Sequence, residues 1–390
     1  LTTNAGRETV GGNDRLREAC LLISLVQART GASLVSRLGE TPLEEVPRMG
    51  ASEVAERARL SQKARQGFEE IRDGFDAREM LAPLHERGIW AVTLGDGEYP
   101  ERLREIPDPP PALYVDGALP EGPVVSLVGS RRASATGIDN ARRIGRALGE
   151  RGVCVGSGLA LGIDAAAHEG ALAAGGPAVG VLGCGIDVVY PRKHRPLFEQ
   201  MRLKGALVSE YYLGEAPLQW RFPARNRVIS GLSQAVVVVE AAEKSGALIT
   251  ARHAAESGRD VWAVPGPIGV AECRGSNRLL GDGVGVLWDI PEFLEEIAPL
   301  EPGLQMAGAG GAGEVDGVNR VQLDATGDGE PLRDMESQAL RGVGFEPSRA
   351  DEVSRRSGVG IEELLSALSM LELKGYVSRD SAGAFVRRGR

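Results

Sequence analysis

Aromatic side chains make up only 4% of this 390-residue chain, and cysteine and histidine occur four times each. Cys20, Cys154, Cys184 and Cys273 show no CxxC or zinc spacing, so neither a disulfide framework nor a zinc site is expected. Three of them lie in apolar or Gly-rich stretches, which predicts buried free thiols in a reducing cytoplasm. The scattered histidines exclude a metal-ligand pattern, and no cofactor is expected. The longest apolar runs fall far below the ~20 residues of a bilayer span, so neither signal peptide nor membrane span is expected. No GxxxxGK[ST] loop occurs, which argues against ATP-driven work. A net charge of −9 argues against general nucleic-acid adhesion. Leu1 stands where a start methionine is expected, which reads as an alternative start codon or a trimmed chain.

Glycine, by contrast, is abundant, with 53 residues. From Val124 to Ala174 the chain reads apolar run, Gly129-Ser130-Arg131, helix, apolar run, Ser157-Gly158, helix. Val124–Val128 and Val153–Val155 are short and β-branched, as strands buried on both faces are. Ile138, Ala141, Ile144, Ala147 and Leu148 have helical spacing. Asp164 is placed to accept from the free N–H groups of a helix over 165–173. Each unit therefore ends a strand on small residues and opens a helix, and open N–H groups there attract anions, phosphate above all. The expected result is a two-loop phosphate cradle in which Gly129, Ser130, Ser157 and Gly158 offer backbone and Arg131 offers a fork of donors.

Apolar runs begin near Val124, Val153, Ala178, Ala206, Ala235 and Val261, with helical patterns between most of them. That alternation predicts an α/β fold, an extended Rossmann-like, open, mostly parallel sheet over 85–300, with ligands beyond the carboxyl ends of its strands. Trp90–Leu94 and Leu113–Val115 read as two further strands, separated by Pro-rich punctuation. Residues 191–227 concentrate Arg192, Lys193, Arg195, Arg202, Lys204, Arg221, Arg225 and Arg227 against three glutamates, a local basic face on an acidic chain. Arg192 and Lys193 either contact a ligand or form a solvated loop. Arg225 and Arg227 either do so or pair with Glu210 or Glu240 inside the fold. Ser245-Gly246 opens a further helix and is a candidate pocket lining. Phe198 is a stacking platform or, more simply, helix core. Asp164 and His168, at i and i+4, invite an acid–base reading, but a capping Asp and a packed His explain them more simply.

The flanks differ. Residues 1–13 are polar and Gly-rich and read as a disordered tail. Short helices punctuated by Gly31, Gly39, Pro42, Pro47 and Gly50 predict an N-terminal helical (SAM-like or helix-hairpin-helix-like) domain over 14–84. Its candidate DNA-binding turn, Arg29-Thr30-Gly31-Ala32, sits in acidic sequence, which favours a docking role. Residues 301–330 carry six acids and one arginine without periodicity, a flexible linker. Residues 331–390 then show a helix at 349–357, a turn, and a helix bearing Ile361, Leu364, Leu365, Leu368 and Leu371. Gly375 is its C-cap candidate, and two short strands about Ser381-Ala382-Gly383 follow, a C-terminal winged helix. Glu362, Glu363 and Glu372 against Lys374 disfavour groove reading of a duplex. Arg379, Arg387, Arg388 and Arg390 are left for weak backbone contact, and a partner-protein role is equally open.

The motifs resemble one family taken together. Val128-Gly129-Ser130-Arg131, Ser157-Gly158-Leu159-Ala160-Leu161-Gly162-Ile163-Asp164, Tyr190-Pro191, Arg225-Asn226-Arg227 with Val228–Ser233, Ser245-Gly246 with Ala247–Ala251, Val264-Pro265-Gly266 and Gly275-Ser276-Asn277 with Arg278–Leu280 stand in the order of the DprA/Smf family. The resemblance covers Trp90 to Trp288, and the flanks match longer members more loosely. It implies a single-stranded DNA-binding protein that protects incoming strands in natural transformation and loads the recombinase RecA onto them, without catalysis. By the same resemblance Arg131 lies in the DNA pocket, with Arg192 and Lys193 beside it. Gly275–Trp288 looks like the self-association face of a homodimer, overlapping the recombinase contact. An alternative is a Rossmann-like nucleotide-binding enzyme hydrolysing nucleoside-phosphate N-glycosidic bonds. That chemistry wants a glutamate beside a Gly-Gly-x-Gly-Thr loop, and Lys244–Thr250 lacks it.

Overall fold

The computed structural model describes residues 14–297, 334–343, 348–373, 376–379 and 385–387. The tail expected at 1–13, the linker expected at 301–330, Gly375, the turn at 381–383, Arg388 and Arg390 lie outside the described residues. Residues up to Gln305 belong to one compact unit and those from Met306 to a second.

The first unit opens with five helices, α1 (Asp14–Thr30), α2 (Leu34–Leu38), α3 (Ala51–Arg57), α4 (Gln62–Asp73) and α5 (Ala77–His85). Helix α1 is apolar on more than one face, so it is covered on more than one side. Leu22, Ile23 and Val26 pack on Leu34, Val46, Val54 and Phe68. Leu21 instead joins the main core with Met80, Leu84 and Tyr114. Two polar contacts tie α1 down further. Arg17 donates to Asp96 at 2.9 Å, and Ser24 Oγ lies 3.1 Å from Tyr114 Oη. Helix α1 thus belongs to two cores, one of the helical segment itself and one shared with the sheet.

The sheet has nine strands. β1 (Ile89–Thr93) and, beyond the short helix α6 (Glu101–Arg104), β2 (Ala112–Gly117) pair antiparallel. There follow β3 (Val124–Gly129), α7 (Ala135–Glu150), β4 (Cys154–Ser157), α8 (Ile163–Ala173), β5 (Ala178–Gly185), α9 (Arg195–Lys204) and β6 (Ala206–Tyr211). α10 (Arg221–Leu232), β7 (Ala235–Glu240), α11 (Ala247–Glu256), β8 (Asp260–Ala263), α12 (Arg274–Gly281), β9 (Gly285–Val286) and α13 (Ile290–Ile297) complete the unit. The strand order is β1-β2-β6-β5-β4-β3-β7-β8-β9. β2 meets β6 antiparallel, and β3 to β9 are parallel to their neighbours. The open, mostly parallel Rossmann-like sheet expected from the sequence is what forms. β9 is too short to leave a periodic signal, and Gly285 admits the Trp262 ring where a Cβ would lie 2.5 Å from it.

The chain proceeds from β3 through β4 and β5 to β6 on one side, then returns to β3's other edge with β7. The switch point of this fold therefore lies between β3 and β7, and the crevice outside their carboxyl ends is where doubly wound sheets hold ligands.

The second unit contains α14 (Asp334–Gly342), α15 (Ala350–Ser357), α16 (Ile361–Leu373), β10 (Val377–Arg379) and β11 (Phe385–Arg387). Leu340, Val353, Leu364, Leu368, Leu371 and Phe385 form its core. Gly358, at φ 71°, ends α15 in the left-handed conformation that glycine tolerates. β10 and β11 pair antiparallel, and Ser348 bridges to Phe385. This is the expected winged helix, with α14 added ahead of the two helices that the sequence pattern marks.

Candidate functional site

β3 ends on Gly129, where no side chain fits. A Cβ would lie 2.5 Å from Ile163 Cγ1 and 2.8 Å from the Glu240 carbonyl oxygen. The next residue is held on both sides. Ser130 N–H donates to the Glu240 carbonyl at 2.7 Å, and the Ser130 carbonyl accepts from Ile163 N–H at 3.3 Å. The loop is therefore pinned between the end of β7 and the start of α8, and Arg131 stands exposed upon it.

The Arg131 guanidinium lies 5.2 Å from the centroid of the Phe222 ring. The Phe222 ring lies 5.3 Å from that of Tyr190, inclined by 32°. Phe222 comes from the first turn of α10 and Tyr190 from the loop after β5, joined to Pro191 by a cis peptide bond. Tyr190 is 41% exposed, so an aromatic face is open to solvent. With Gly158, Leu161 and Gly183 these residues line one pocket at the carboxyl ends of β3, β4 and β5. Its mouth combines a cation with two aromatic rings.

Arg225 forms part of the wall from within. Its guanidinium is buried and donates to the Gly158 carbonyl at 2.9 Å and to the Val181 carbonyl. The Gly158 N–H donates to Asp164 Oδ2 at 3.1 Å, and the Ala160 N–H to the same oxygen at 3.3 Å. One residue, Gly158, thus joins a buried cation to a buried carboxylate. Burial pushes the Asp164 carboxyl up, opposed by Arg225 and these two N–H groups. Burial pulls Arg225 down, opposed by Asp164. Asp164 does not cap its own helix, as the sequence pattern suggests. It lies inside α8 and folds back onto the loop before it, while Gly162, at φ 81°, takes the cap position. His168 is fully buried, and its pKa is pushed down to about 3 by that burial. A neutral core histidine is the result, not an acid–base partner.

The open phosphate cradle expected from the two loops is not what forms. At the start of α7, Ser134 Oγ accepts from Gly137 N–H at 3.0 Å. Ser134 N–H donates to Glu240 Oε1 at 2.9 Å, and Ser134 Oγ to Glu240 Oε2. A carboxylate of the chain itself holds that helix terminus, as Asp164 holds the loop before α8. The N–H groups of Ser130 and Gly158 are both engaged inside the fold. Ser157 is fully buried and donates to the Leu127 carbonyl at 2.6 Å. The backbone donors of Ser130 and Gly158 therefore serve the fold, and Gly158 lines the pocket beside the Arg131 side chain.

The remaining candidates divide. Arg192 and Lys193 are exposed on the turn that follows Pro191, at the rim. Ser245 and Gly246 lie in the loop after β7, outside the pocket lining, where Gly246 O accepts from Asn226 Nδ2 at 3.2 Å. Arg227 is removed altogether. It pairs with Glu210 at 2.6 Å and Asp108 at 3.2 Å, its side chain 15% exposed. It borders a different cleft, beside Trp220. The turn at Arg29–Ala32 borders that same cleft: the Trp220 ring lies 3.6 Å from where a Gly31 Cβ would stand, and Arg221 donates to the Ala28 carbonyl at 2.8 Å.

Sequence reasoning missed Phe222 and Tyr190 and looked instead to Phe198, which is buried in the core. The signal was there. Phe222 and Arg225 are three apart on one helix, so they share a face, and Tyr190 directly precedes the loop's proline.

Comparison with known proteins gives consistent matches. A family model described as DNA recombination-mediator protein A matches residues 90–298. One described as the DprA winged helix domain matches residues 324–383. The chain is 36% identical over 337 residues to protein Smf of Synechocystis, an overlap of 81% of this chain and 85% of that one. DNA processing protein A of Streptococcus pneumoniae, known from an X-ray structure, matches with a TM-score of 0.62 at 32% identity, covering 71% of this chain and 97% of that one. DNA processing protein A of Helicobacter pylori, whose structure is described for its single-stranded DNA binding mode, matches with a TM-score of 0.50 at 28% identity, covering 54% and 96%.

Proposed function

Because the chain belongs to the DNA recombination-mediator protein A family, we propose that it binds single-stranded DNA, protects incoming strands and loads RecA onto them during natural transformation, without catalysis. The observation that carries this reading is the mouth formed by Arg131, Phe222 and Tyr190. Aromatic rings stack on any base, and a guanidinium pairs with any phosphate, so such a mouth takes a strand with little regard to sequence. Unpaired bases can reach the rings and paired ones cannot, so single strands are preferred to duplex. Arg192 and Lys193 at the rim extend the phosphate path, and Arg225 adds positive potential from within. The single-stranded DNA binding described for the Helicobacter pylori relative supports the same choice.

A protein in this role works where RecA works, in the cytoplasm. The four free, buried cysteines fit that compartment. No described helix is long and apolar enough to cross a membrane. A homodimer joined through Gly275–Trp288 accords with Val286 and Trp288, which are 46% and 68% exposed there. The test is RecA filament assembly on oligo-dT coated with a single-strand-binding protein. The chain should shorten the assembly lag, and Arg131→Glu should not. An unchanged lag with a strand-bound wild-type chain would reject the mediator role.

A further inference from the structure

We propose that Glu240 is a specificity residue that closes the switch-point crevice to free phosphate and mononucleotides, leaving the neighbouring Arg131 pocket as the nucleic-acid site. The argument begins with topology. β3 and β7 flank the switch point, where an open α/β sheet presents helix N-termini to a ligand's phosphate. Glu240 is the last residue of β7 and 3% exposed, so its side chain fills that position from below. Its carboxylate accepts from both Ser134 N–H and Ser134 Oγ, two donors at the start of α7. These are the groups a bound phosphate would take, and an internal anion already has them.

Two close approaches keep the carboxylate in place. A Cβ on Gly137 would lie 2.6 Å from Glu240 Oε2, so α7 leaves room for it only by having glycine there. The Glu240 carbonyl also accepts the Ser130 N–H at 2.7 Å. Backbone and side chain of one residue therefore hold both ends of the Ser130–Ser134 loop. A phosphate entering the crevice would meet like charge and engaged donors, which disfavours it on both counts. Ser134 is itself exposed, so removal of the carboxylate would open a space that solvent reaches.

The assignment of the Arg131 pocket rests on the strand-binding reading, whereas the closing of the crevice by Glu240 is tested without DNA. Thermal unfolding of the full chain is followed against inorganic phosphate and AMP, at ionic strength matched with chloride, for wild type, Arg131→Ala, Glu240→Gln and Glu240→Ala. Wild type, Arg131→Ala and the isosteric Glu240→Gln should not respond saturably. Glu240→Ala should gain a saturable rise of about 3 °C, the linkage signature of a ligand that binds the folded form. A folded Glu240→Ala without that response would overturn the proposal. So would a saturable response in Arg131→Ala with Glu240 intact, an arm that decides the matter even where Glu240→Ala does not fold.

Discussion

The Arg131 guanidinium stands 5.2 Å from the Phe222 ring centroid, and the residues come from elements distant in sequence, Arg131 after β3 and Phe222 at the start of α10. A cation over an aromatic face is attracted to it and pre-set in direction. The pair divides the work of holding a strand. The ring offers a surface for a base and the guanidinium a charge for a phosphate, and the two roles separate experimentally.

Phe222→Ala should weaken oligo-dT binding by about 10-fold or more, since base–aromatic stacking contributes roughly 1–3 kcal/mol per base. The slope of log K against log salt should not change, because no phosphate contact is lost. Arg131→Ala should lower that slope by about 0.7. Anisotropy titrations over a salt series measure both, and an altered slope for Phe222→Ala would contradict the division.

Arg227 serves the fold. Arg227→Met leaves Glu210 and Asp108 facing each other inside the protein without their cation, a loss of about 3 kcal/mol or more. Urea unfolding should register that loss while the folded protein binds oligo-dT as wild type does. Arg225→Met should lower both stability and affinity, because its guanidinium holds the Gly158 carbonyl in the pocket wall. Equal affinity losses in the two variants would contradict these assignments.

Acid should destabilise the protein through His168. Its pKa is about 3 in the folded chain against an ordinary 6.5. The unfolded chain therefore binds the proton first as pH falls. Stability is unaffected by this residue above pH 6.5 and is lost as pH falls from 6.5 toward 3. His168→Leu should flatten the fall in Tm between pH 7 and 5. Parallel Tm profiles for the two proteins would show that His168 is not the titrating group.

The winged helix should be dispensable for strand capture. Exposed Glu363 and Glu372 on α16 repel phosphate, and the pocket lies wholly within the first unit. A chain ended at Gln305 should bind oligo-dT within about twofold of the full chain, against the several-fold loss expected from removing even one phosphate contact. A loss of tenfold or more would assign part of the strand site to residues 306–390.

The sequence made the sheet legible because β3 to β7 are buried on both faces and read as continuous apolar runs. It made the loops legible because small residues must end those strands. Arg131, Arg192 and Lys193 were legible as exposed cations. Partners distant in sequence were not. Nothing local tells that the Ser134 donors are met by a carboxylate 106 residues away. The loop N–H groups read as open are met by other parts of the chain, whereas for Arg227 the sequence leaves pairing with Glu210 open and the structure takes that alternative. The aromatic mouth was missed for the complementary reason, since Tyr190 and Phe222 meet only when β5 and α10 are side by side.

The central claim is that one exposed arginine in an aromatic-walled pocket holds single-stranded DNA. Fluorescence anisotropy with a labelled oligo-dT of ~20 nucleotides and with a duplex of equal length, for wild type and Arg131→Glu, tests it most directly. The account predicts tight, salt-sensitive binding of the single strand, weaker binding of the duplex, and loss of strand binding in a variant that unfolds at the wild-type temperature. Equal affinity of a folded Arg131→Glu for the strand would contradict it.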